Sequence, residues 1–387
     1  MKAAITLTRI LVGLLFIFSG LVKANDPLGL SYKMQEFFEV WNWGGFDNLT
    51  LPLSVLMNAF EIIAGFALLL GWRNRLFSWL LLLLIVFFTF LTGYTYITGM
   101  PKNCGCFGDC LPISSQTSFL KDAALTLMIT FLLWKRYEIR PLLPAKTGSF
   151  LMLLIIAGSF GFQWYTLHNL PMVDCLPFKT GNNIMEKRKV PADAIPDSFA
   201  IRFVYTKSGK TFEFSPLELP ADLNTYTFVS RKDKLIRKGN AEPAIKGFDL
   251  KGASEADSTQ QVLSLPYAIL IFTENFSVPL RNWENAFARV YETARTKNIA
   301  VYLISGQPDK ARTEMAATIF ADLPVFTCDN TTIRSASRAN PTLYLLKEGT
   351  VLGKWALPGF GKAEKMIAGL TVPAVPPVPL TIDSLPH

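Results

Sequence analysis

Five long apolar runs, all before residue 170, constrain this chain more than any other feature of its sequence. Each approaches the roughly 20 residues that an α-helix needs to cross the hydrocarbon core of a bilayer. The runs cover residues 3–22, 51–70, 76–98, 119–134 and 150–167. The fourth is the shortest, and Lys121 and Asp122 lie at its start. We therefore expect a helical membrane region followed by a more polar part outside the bilayer.

The first run resembles a secretory signal peptide, since Lys2 precedes it and small residues follow it. Its apolar stretch is too long for a signal peptide, it contains Arg9, and no clean small-x-small cleavage site follows. The sequence therefore predicts a retained membrane helix.

Lysine and arginine are distributed unevenly between the short loops that connect the runs. The residues on one side are Lys2, Arg73, Arg75, Lys135, Arg136, Arg140 and Lys146, whereas loops 23–50 and 99–118 carry mixed charges. Because cytoplasmic loops are enriched in lysine and arginine, the N-terminus is predicted to be cytoplasmic. Everything after the fifth helix is then periplasmic, in a multi-pass protein of the cytoplasmic (inner) membrane.

The formal net charge of +8 has a simple origin in this topology. Much of the positive charge lies in loops that orient the helices, and no basic face is interleaved with aromatic residues. Charged residues make up only 18% of the chain, which argues against a disordered protein and against a purely cytosolic enzyme. We expect contact with the lipid bilayer and no nucleic-acid partner.

All five cysteines fall on the predicted periplasmic side, where disulfides are permitted. Cys104, Cys106 and Cys110 form a cluster in the loop 99–118, Cys175 follows the fifth run, and Cys328 lies far along the chain. Three interpretations remain open for the cluster: a structural disulfide, a redox-active dithiol, or a site for zinc or copper(I).

The spacing of the cluster favours thiol chemistry over metal binding. Cys-x-Cys-x3-Cys lacks the paired Cys-x2-Cys of common zinc sites, and no histidine is near it in sequence. A third thiolate can attack a neighbouring disulfide, and Cys175 is expected close to the same membrane surface. The candidate redox thiols are therefore Cys104, Cys106, Cys110 and Cys175; no metal site is predicted, and Cys328 is expected to be a buried or spare thiol.

Two ionisable residues lie inside the predicted membrane helices. Arg9 lies in the first run and Glu61 near the centre of the second, with Asn58 one turn before Glu61. Such residues are costly in lipid and normally face a partner or a cavity. From helix depths the sequence predicts that Arg9 reaches Glu61. This intramembrane polar site is either a structural ion pair or a site for protons or for the headgroup of a quinone.

The first 140 residues contain several motifs of known membrane proteins. Arg-Ile-Leu-Val-Gly-Leu-Leu-Phe-Ile-Phe-Ser-Gly-Leu-Val-Lys-Ala-Asn-Asp-Pro (9–27) resembles the opening of DoxX-like proteins, and Glu61 with Gly65 and Gly71 resembles their second helix. The Cys-Gly-Cys-Phe-Gly-Asp loop followed by Lys121-Asp122 resembles the MauE branch, the methylamine-utilisation relatives.

This resemblance implies a four-helix membrane module over residues 1–140. It also implies quinone-linked sulfur redox chemistry, or maturation of a disulfide-rich periplasmic partner. The fifth transmembrane helix, 149–168, departs from the family pattern.

The remaining chain predicts a linker and small β-rich unit (169–244), an α/β domain (245–370) and a Pro-rich tail (371–387). In the first, strands are expected at 200–206, 211–214 and 225–230 around the turn Lys-Ser-Gly-Lys. In the second, buried strands and helices follow in the order βαβα–ββ, which favours a thioredoxin-like fold.

The motifs of the α/β domain resemble thioredoxin-like proteins, but the redox motif is missing. Gly-Phe-Asp-Leu (247–250) resembles their entry segment, and Pro341 would be their cis-proline. Ser-Val-Pro-Leu (277–280) stands where Cys-x-Pro-Cys is expected, so the domain has no dithiol for exchange. We expect it to bind or dock a periplasmic client.

Two functions therefore remain open, and whether the chain is an enzyme is left undecided. The first is a redox-associated membrane protein that would form part of a thiol/quinone oxidoreductase, with quinone as the only suggested cofactor. The alternative is a non-enzymatic envelope assembly protein in which the cysteines are structural and the thioredoxin-like domain docks a client. Other catalytic templates are absent: there is no Gly-x-Ser-x-Gly, P-loop or His-Glu-x-x-His motif.

Overall fold

Five helices are long and apolar enough to cross a membrane, in agreement with the five predicted runs. The structure is a computed structural model that describes residues 2–101, 105, 107–237, 239 and 241–372. The helices of this region are α1 (Lys2–Asn25), α2 (Pro27–Val40), α3 (Thr50–Leu70), α4 (Asn74–Thr98), α5 (Ser115–Trp134) and α6 (Ala145–His168). All but α2 are candidate membrane spans, and together they define a multi-pass membrane protein.

Helix α2 lies in a stretch that the sequence assigned to a loop. Its start is a favourable cap, because the Asp26 carboxylate accepts a hydrogen bond from the Gly29 N–H and Pro27 occupies the first turn. At 14 residues it is too short to span a bilayer, and no continuous apolar run marks it. It packs on α3 and buries Phe37.

Helices α1 and α3 pack antiparallel through small residues, and their contact forms the centre of the bundle. Gly13 faces Gly65, and Gly20 faces the α3 backbone at Asn58 and Ile62. A Cβ on Gly65 would lie 2.8 Å from the Gly13 carbonyl oxygen, so the two backbones nearly touch. Lipid provides little hydrophobic driving force between helices, and close packing of this kind supplies the attraction instead.

The first strands of the polar part form a small antiparallel sheet. Its strands are β1 (Ser198–Lys207), β2 (Lys210–Phe214) and β3 (Thr227–Arg237), in the order β2-β1-β3. Ser208 and Gly209 join β1 to β2, and both have positive φ, as a tight hairpin turn of this hand requires. The hairpin predicted around Lys-Ser-Gly-Lys is therefore confirmed.

A second sheet of five strands forms the core of the C-terminal part. Its strands are β4 (Ala268–Thr273), β5 (Ala300–Ser305), β6 (Val325–Phe326), β7 (Thr342–Lys347) and β8 (Thr350–Ala356). The order is β6-β5-β4-β7-β8, with β4, β5 and β6 parallel and β7 and β8 antiparallel to their neighbours. The side chains of β4 are buried on both faces of the sheet, as its continuous apolar run predicts.

Short helices cover the two faces of this sheet. They are α7 (Ile184–Lys187), α8 (Thr259–Leu263), α9 (Glu284–Thr296), α10 (Pro308–Met315), α11 (Asn330–Ala336) and α12 (Phe360–Ala368). The peptide bond between Asn340 and Pro341, just before β7, is cis, as predicted.

Part of the segment that the sequence assigned to a linker belongs to this domain. Phe178 and Ile184 are fully buried in its core. The N–H of Gly181 donates to the Val351 carbonyl, and the N–H of Ile184 donates to that of Gly349. The chain therefore passes from α6 directly onto the five-stranded sheet before it forms β1. The sequence predicts a linker here because prolines and a glycine are typical of an extended connection.

The glycine contact between α1 and α3 generates a direct test. Gly65→Ala should destabilise the protein by about 1–3 kcal/mol, because the added methyl group has no space against the Gly13 carbonyl. Gly158→Ala is the matched control, since nothing lies within 4 Å of a Cβ at that position on α6. Thermal unfolding in detergent measures both variants, and an equal effect from the two would contradict this packing.

Candidate functional site

A disulfide joins the loop between α4 and α5 to the segment after α6. The bond links Cys110 to Cys175, whose Cα atoms are 4.9 Å apart, across 65 residues of sequence. The expectation that Cys175 reaches the cysteine cluster is therefore confirmed. Cys104 and Cys106 lie outside the described residues. We call the end of the bundle that carries this bond the disulfide end.

The residue before each bonded cysteine is an aspartate that pairs with the C-terminal domain. Asp109 Oδ2 lies 2.7 Å from Arg338 Nη2, and Asp174 Oδ2 lies 2.7 Å from Lys354 Nζ. The side chains of Arg338 and Lys354 are only 5% and 4% exposed. Both arms of the disulfide are thus fixed to buried cations of the same domain.

Arg338 also binds Asp26, the capping residue of α2, through Nε at 2.8 Å. Burial lowers the pKa of Arg338, but the negative fields of Asp26 and Asp109 outweigh it, so the net pKa is raised and the guanidinium remains charged. Burial likewise lowers the pKa of Lys354, and Asp174 offsets only part of this effect.

Tyr32 on α2 extends the same contact surface. Its hydroxyl donates to Glu274 at 3.0 Å, and Glu274 pairs with Arg334 at 2.8 Å. The guanidinium groups of Arg334 and Arg338 lie 5.1 and 5.3 Å from the Tyr32 ring centroid. Burial and the neighbouring Glu274 raise the pKa of Tyr32, so the phenol stays neutral and can donate.

Inside the bundle, Glu61 pairs with Lys23, and both side chains are almost fully buried. The predicted pairing of Arg9 with Glu61 is wrong. Arg9 donates instead to the Leu69 carbonyl at 2.7 Å and to the Arg140 carbonyl at 3.2 Å, at the opposite end of the bundle. Residues 61 and 69 are separated by about 12 Å along the helix, so one arginine cannot serve both positions.

Asn58 stays close to Glu61 on α3 and is also completely buried. Its amide donates to Gln163 Oε1 of α6 at 3.2 Å, and Gln163 donates to the Val55 carbonyl at 3.1 Å. Among the described residues, Glu61 Oε2 and Asn58 Oδ1 have no hydrogen-bond partner. Buried oxygens without a partner are costly, so each is expected to be satisfied by a water molecule, a proton or a ligand.

Asp122 of α5 adds a second buried carboxylate that sequence reasoning did not assign to the site. It accepts a hydrogen bond from Thr92 at 3.2 Å, and its other oxygen lies 2.8 Å from Lys121 Nζ. A small cavity of about 20 Å³ has Glu61 and Asp122 in its wall. The Lys-Asp pair at the start of the fourth run was the available signal for this residue.

A larger cavity of about 220 Å³ opens beside these pairs. Its wall is mostly apolar and aromatic, with contributions from Leu30, Met34, Phe37, Phe38, Trp41, Leu53, Met57, Phe87, Phe88 and Leu91. Its polar lining includes Lys23, Lys33, Lys121 and Thr92. Gly105, which stands between Cys104 and Cys106 in sequence, also lines it. The cavity therefore borders the cysteine loop.

Cys328 lies apart from this arrangement. It is buried in the core of the C-terminal domain, as expected, and burial raises its pKa to about 12. A thiol with this pKa is almost entirely protonated at neutral pH and is a poor nucleophile.

The molecule is thus a multi-pass membrane protein with buried charge pairs, an apolar cavity and a disulfide at one end of its bundle. Residues 1–135, about a third of the chain, match the family model of methylamine utilisation protein MauE, so this part is similar to MauE. Residues 199–238, the three-stranded sheet, match a domain of unknown function, DUF8463. No curated protein and no solved structure matches the chain. The resemblances to DoxX-like and thioredoxin-like proteins stay predictions.

The Lys23–Glu61 pair gives the next prediction. Lys23→Met leaves a buried carboxylate without its cation and should destabilise the protein by about 3–5 kcal/mol. Lys23→Met/Glu61→Leu removes both charges and should recover most of that loss. Lys135→Met is the control, because its partner Glu138 is 40% exposed and the pair should contribute only about 0.3–0.5 kcal/mol. Denaturant unfolding in detergent provides the values. A double variant no more stable than Lys23→Met alone would contradict the pairing.

Proposed function

We propose that the protein is a membrane redox component that exchanges disulfides with a periplasmic protein and thereby takes part in its maturation. The observation that carries the proposal is the position of the 220 Å³ cavity, which touches Gly105 inside the cysteine loop. The match of residues 1–135 to MauE supports a membrane protein of this type. The loop charges support a cytoplasmic N-terminus and a cysteine loop on the periplasmic face of the inner membrane.

Disulfide exchange at this loop would transfer two electrons and two protons from a client dithiol to the Cys110–Cys175 bond. A thiolate of a client dithiol attacks one sulfur of the Cys110–Cys175 bond, and the mixed disulfide then resolves as the second client thiol displaces the remaining protein sulfur. The client is oxidised by two electrons, and its two protons end on the thiols of Cys110 and Cys175. A disulfide between Cys104 and Cys106 is the proposed oxidant that restores the Cys110–Cys175 bond; it would take up the two electrons and two protons, which would then pass to a quinone.

We propose that this cavity binds a quinone, which would supply two-electron oxidation of thiols from within the membrane. The apolar wall would hold the ring and the start of an isoprenoid chain, because such pockets bury most of a ligand's surface. Lys23, Lys33 and Lys121 lie in the wall, and their ammonium groups, which pair with Glu61, Glu36 and Asp122, are the proposed donors to the carbonyl oxygens. Glu61 and Asp122, next to these lysines, can hold protons near the cavity.

Arg9 does not contribute to this site. It satisfies backbone carbonyls at the opposite end of the bundle, and its role is structural. Asn58 and Glu61 remain candidate residues of the intramembrane site.

For the C-terminal domain we propose a thioredoxin-like fold without dithiol activity. The strand order of its sheet and the positions of its helices support this assignment. Ser277 and Leu280 cannot form a disulfide, and Cys328 is buried and protonated. The domain therefore serves binding and positioning, and the cysteine loop performs the chemistry.

A second function, client docking without redox chemistry, is supported by the three-stranded sheet. Six aromatic rings contact one another on it: Phe203, Tyr205, Phe212, Phe214, Tyr226 and Phe228. Phe228 is 54% exposed and Phe199, on the same sheet, is 49% exposed. Partly exposed aromatic clusters of this kind are typical of protein-binding surfaces. A client bound there would stay bound after cysteine replacement.

The experiment separates the two functions. Purified protein with a dithiol reductant and a short-chain quinone should show quinone reduction, and Leu91→Trp, which fills the cavity, should lower its rate at least about tenfold. Leu83→Trp is the control, because Leu83 is 71% exposed on the same helix. Cys104→Ser and Cys106→Ser should each abolish the activity.

The redox proposal is contradicted if quinone reduction is absent in the native protein or survives both the Leu91→Trp and the cysteine variants. A client that copurifies equally with native and cysteine-free protein would then support docking alone.

A further inference from the structure

The two aspartates beside the disulfide are the starting point. Asp109 precedes Cys110 and Asp174 precedes Cys175, and each carboxylate is paired with a different buried cation of the C-terminal domain. The two cations lie at the same edge of that domain, since Arg338 shortly precedes β7 and Lys354 lies on β8 opposite Tyr344 of β7. One rigid domain therefore holds both sides of one disulfide.

We propose that Arg338 and Lys354 are positioning residues for the Cys110–Cys175 bond and shift the equilibrium between disulfide and dithiol toward the disulfide. The proposal rests on the proposed function for its use in exchange, but the equilibrium exists whether or not a client is present. The edge of the C-terminal domain that carries Arg338 and Lys354 binds the protein's own cysteine loop.

The geometric reason is linkage between two constraints. The bond holds the two cysteine Cα atoms 4.9 Å apart, and this fixes Asp109 and Asp174 on the side where Arg338 and Lys354 meet them. Reduction allows the two chain segments to separate. Each ion pair must then form against the conformational entropy of its own free segment. Whatever favours the paired arrangement therefore favours the bond by the same factor.

Electrostatics acts in the same direction. Without the two cations, two carboxylates would stand beside one bond, and their repulsion would favour separation of the segments. Arg338 in addition neutralises Asp26 on α2, which connects the disulfide to the first helices of the bundle. Loss of Arg338 should consequently have the larger effect.

The segment that carries Asp174 and Cys175 also contacts the end of α1. Asn25 at the end of α1 donates to the Val173 carbonyl at 2.8 Å and accepts from the Val173 N–H at 3.1 Å. The segment that carries Asp174 and Cys175 is thus held from the membrane side as well as by Lys354.

The test is the reduction midpoint of this one bond in the full chain. Cys104→Ser/Cys106→Ser is the background, and the protein in detergent is equilibrated with mixtures of reduced and oxidised dithiothreitol. In this reaction the reagent's two thiols give two electrons and two protons to the bond, forming its cyclic disulfide and the thiols of Cys110 and Cys175. Trapping with a maleimide–polyethylene glycol then reports the reduced fraction.

Lys354→Met should lower the ratio of reduced to oxidised reagent at half reduction by about tenfold, and Arg338→Gln should lower it further. Asp174→Lys/Lys354→Asp exchanges the two charges and should restore the native midpoint. Arg188→Gln is the control, because it removes an ion pair with Asp249 of the same 2.7 Å distance but away from the disulfide.

Unchanged midpoints, within about twofold, in both folded single variants would overturn the proposal. An equal shift from Arg188→Gln would also overturn it, because the effect would then be general destabilisation. If Arg338→Gln does not accumulate as folded protein, Lys354→Met and the charge exchange decide the question. No quinone or client enters the assay, so its result is independent of whether the proposed function fails.

Discussion

The arrangement of this protein depends on one buried guanidinium, that of Arg338. A charge this deeply buried is strongly destabilising unless carboxylates neutralise it. The two carboxylates that do so, Asp26 and Asp109, come from the helical region and lie more than 200 residues earlier in the chain. Separation of the C-terminal domain from the disulfide end would therefore break both ion pairs and leave the charges of Arg338, Asp26 and Asp109 without partners. The position of the disulfide loop, the contact with α2 and the orientation of the domain all follow from this requirement.

A second constraint, the close approach of α1 and α3, determines what lies inside the bundle. The glycine contacts fix the axial register of α1 against α3. This register places Lys23 beside Glu61 and Arg9 beside the C-terminal end of α3. The buried Lys23–Glu61 pair and the partly buried Lys121–Asp122 pair consequently lie near the disulfide end, next to the apolar cavity. A polar cluster, a cavity and a disulfide are thus gathered at one end of the bundle. This clustering is what connects the proposed redox chemistry to the membrane.

The sequence predicts the parts of this fold that depend on local pattern. The five membrane helices follow from apolar runs, the β1–β2 hairpin from a Ser-Gly turn, and β4 from a continuous run of buried residues. The helix α2 was missed because a short half-buried helix carries no long run, although Asp26 and Pro27 mark its start. Most of the ion pairs could not be predicted from the sequence, because Arg338 pairs with residues that lie 312 and 229 positions earlier in the chain. The choice of Arg9 rather than Lys23 for Glu61 failed because depth counted from helix ends ignores the register that the glycines impose.

The C-terminal domain holds one fixed position against the disulfide end of the helices. Spin labels at Glu39 on α2 and Lys310 on α10, both exposed, measure this directly by pulsed electron resonance in a Cys104→Ser/Cys106→Ser/Cys328→Ser background. A fixed position predicts a single narrow distance distribution that broadens in Arg338→Gln. A broad distribution in the protein with Arg338 intact, or one that Arg338→Gln leaves unchanged, would contradict this arrangement.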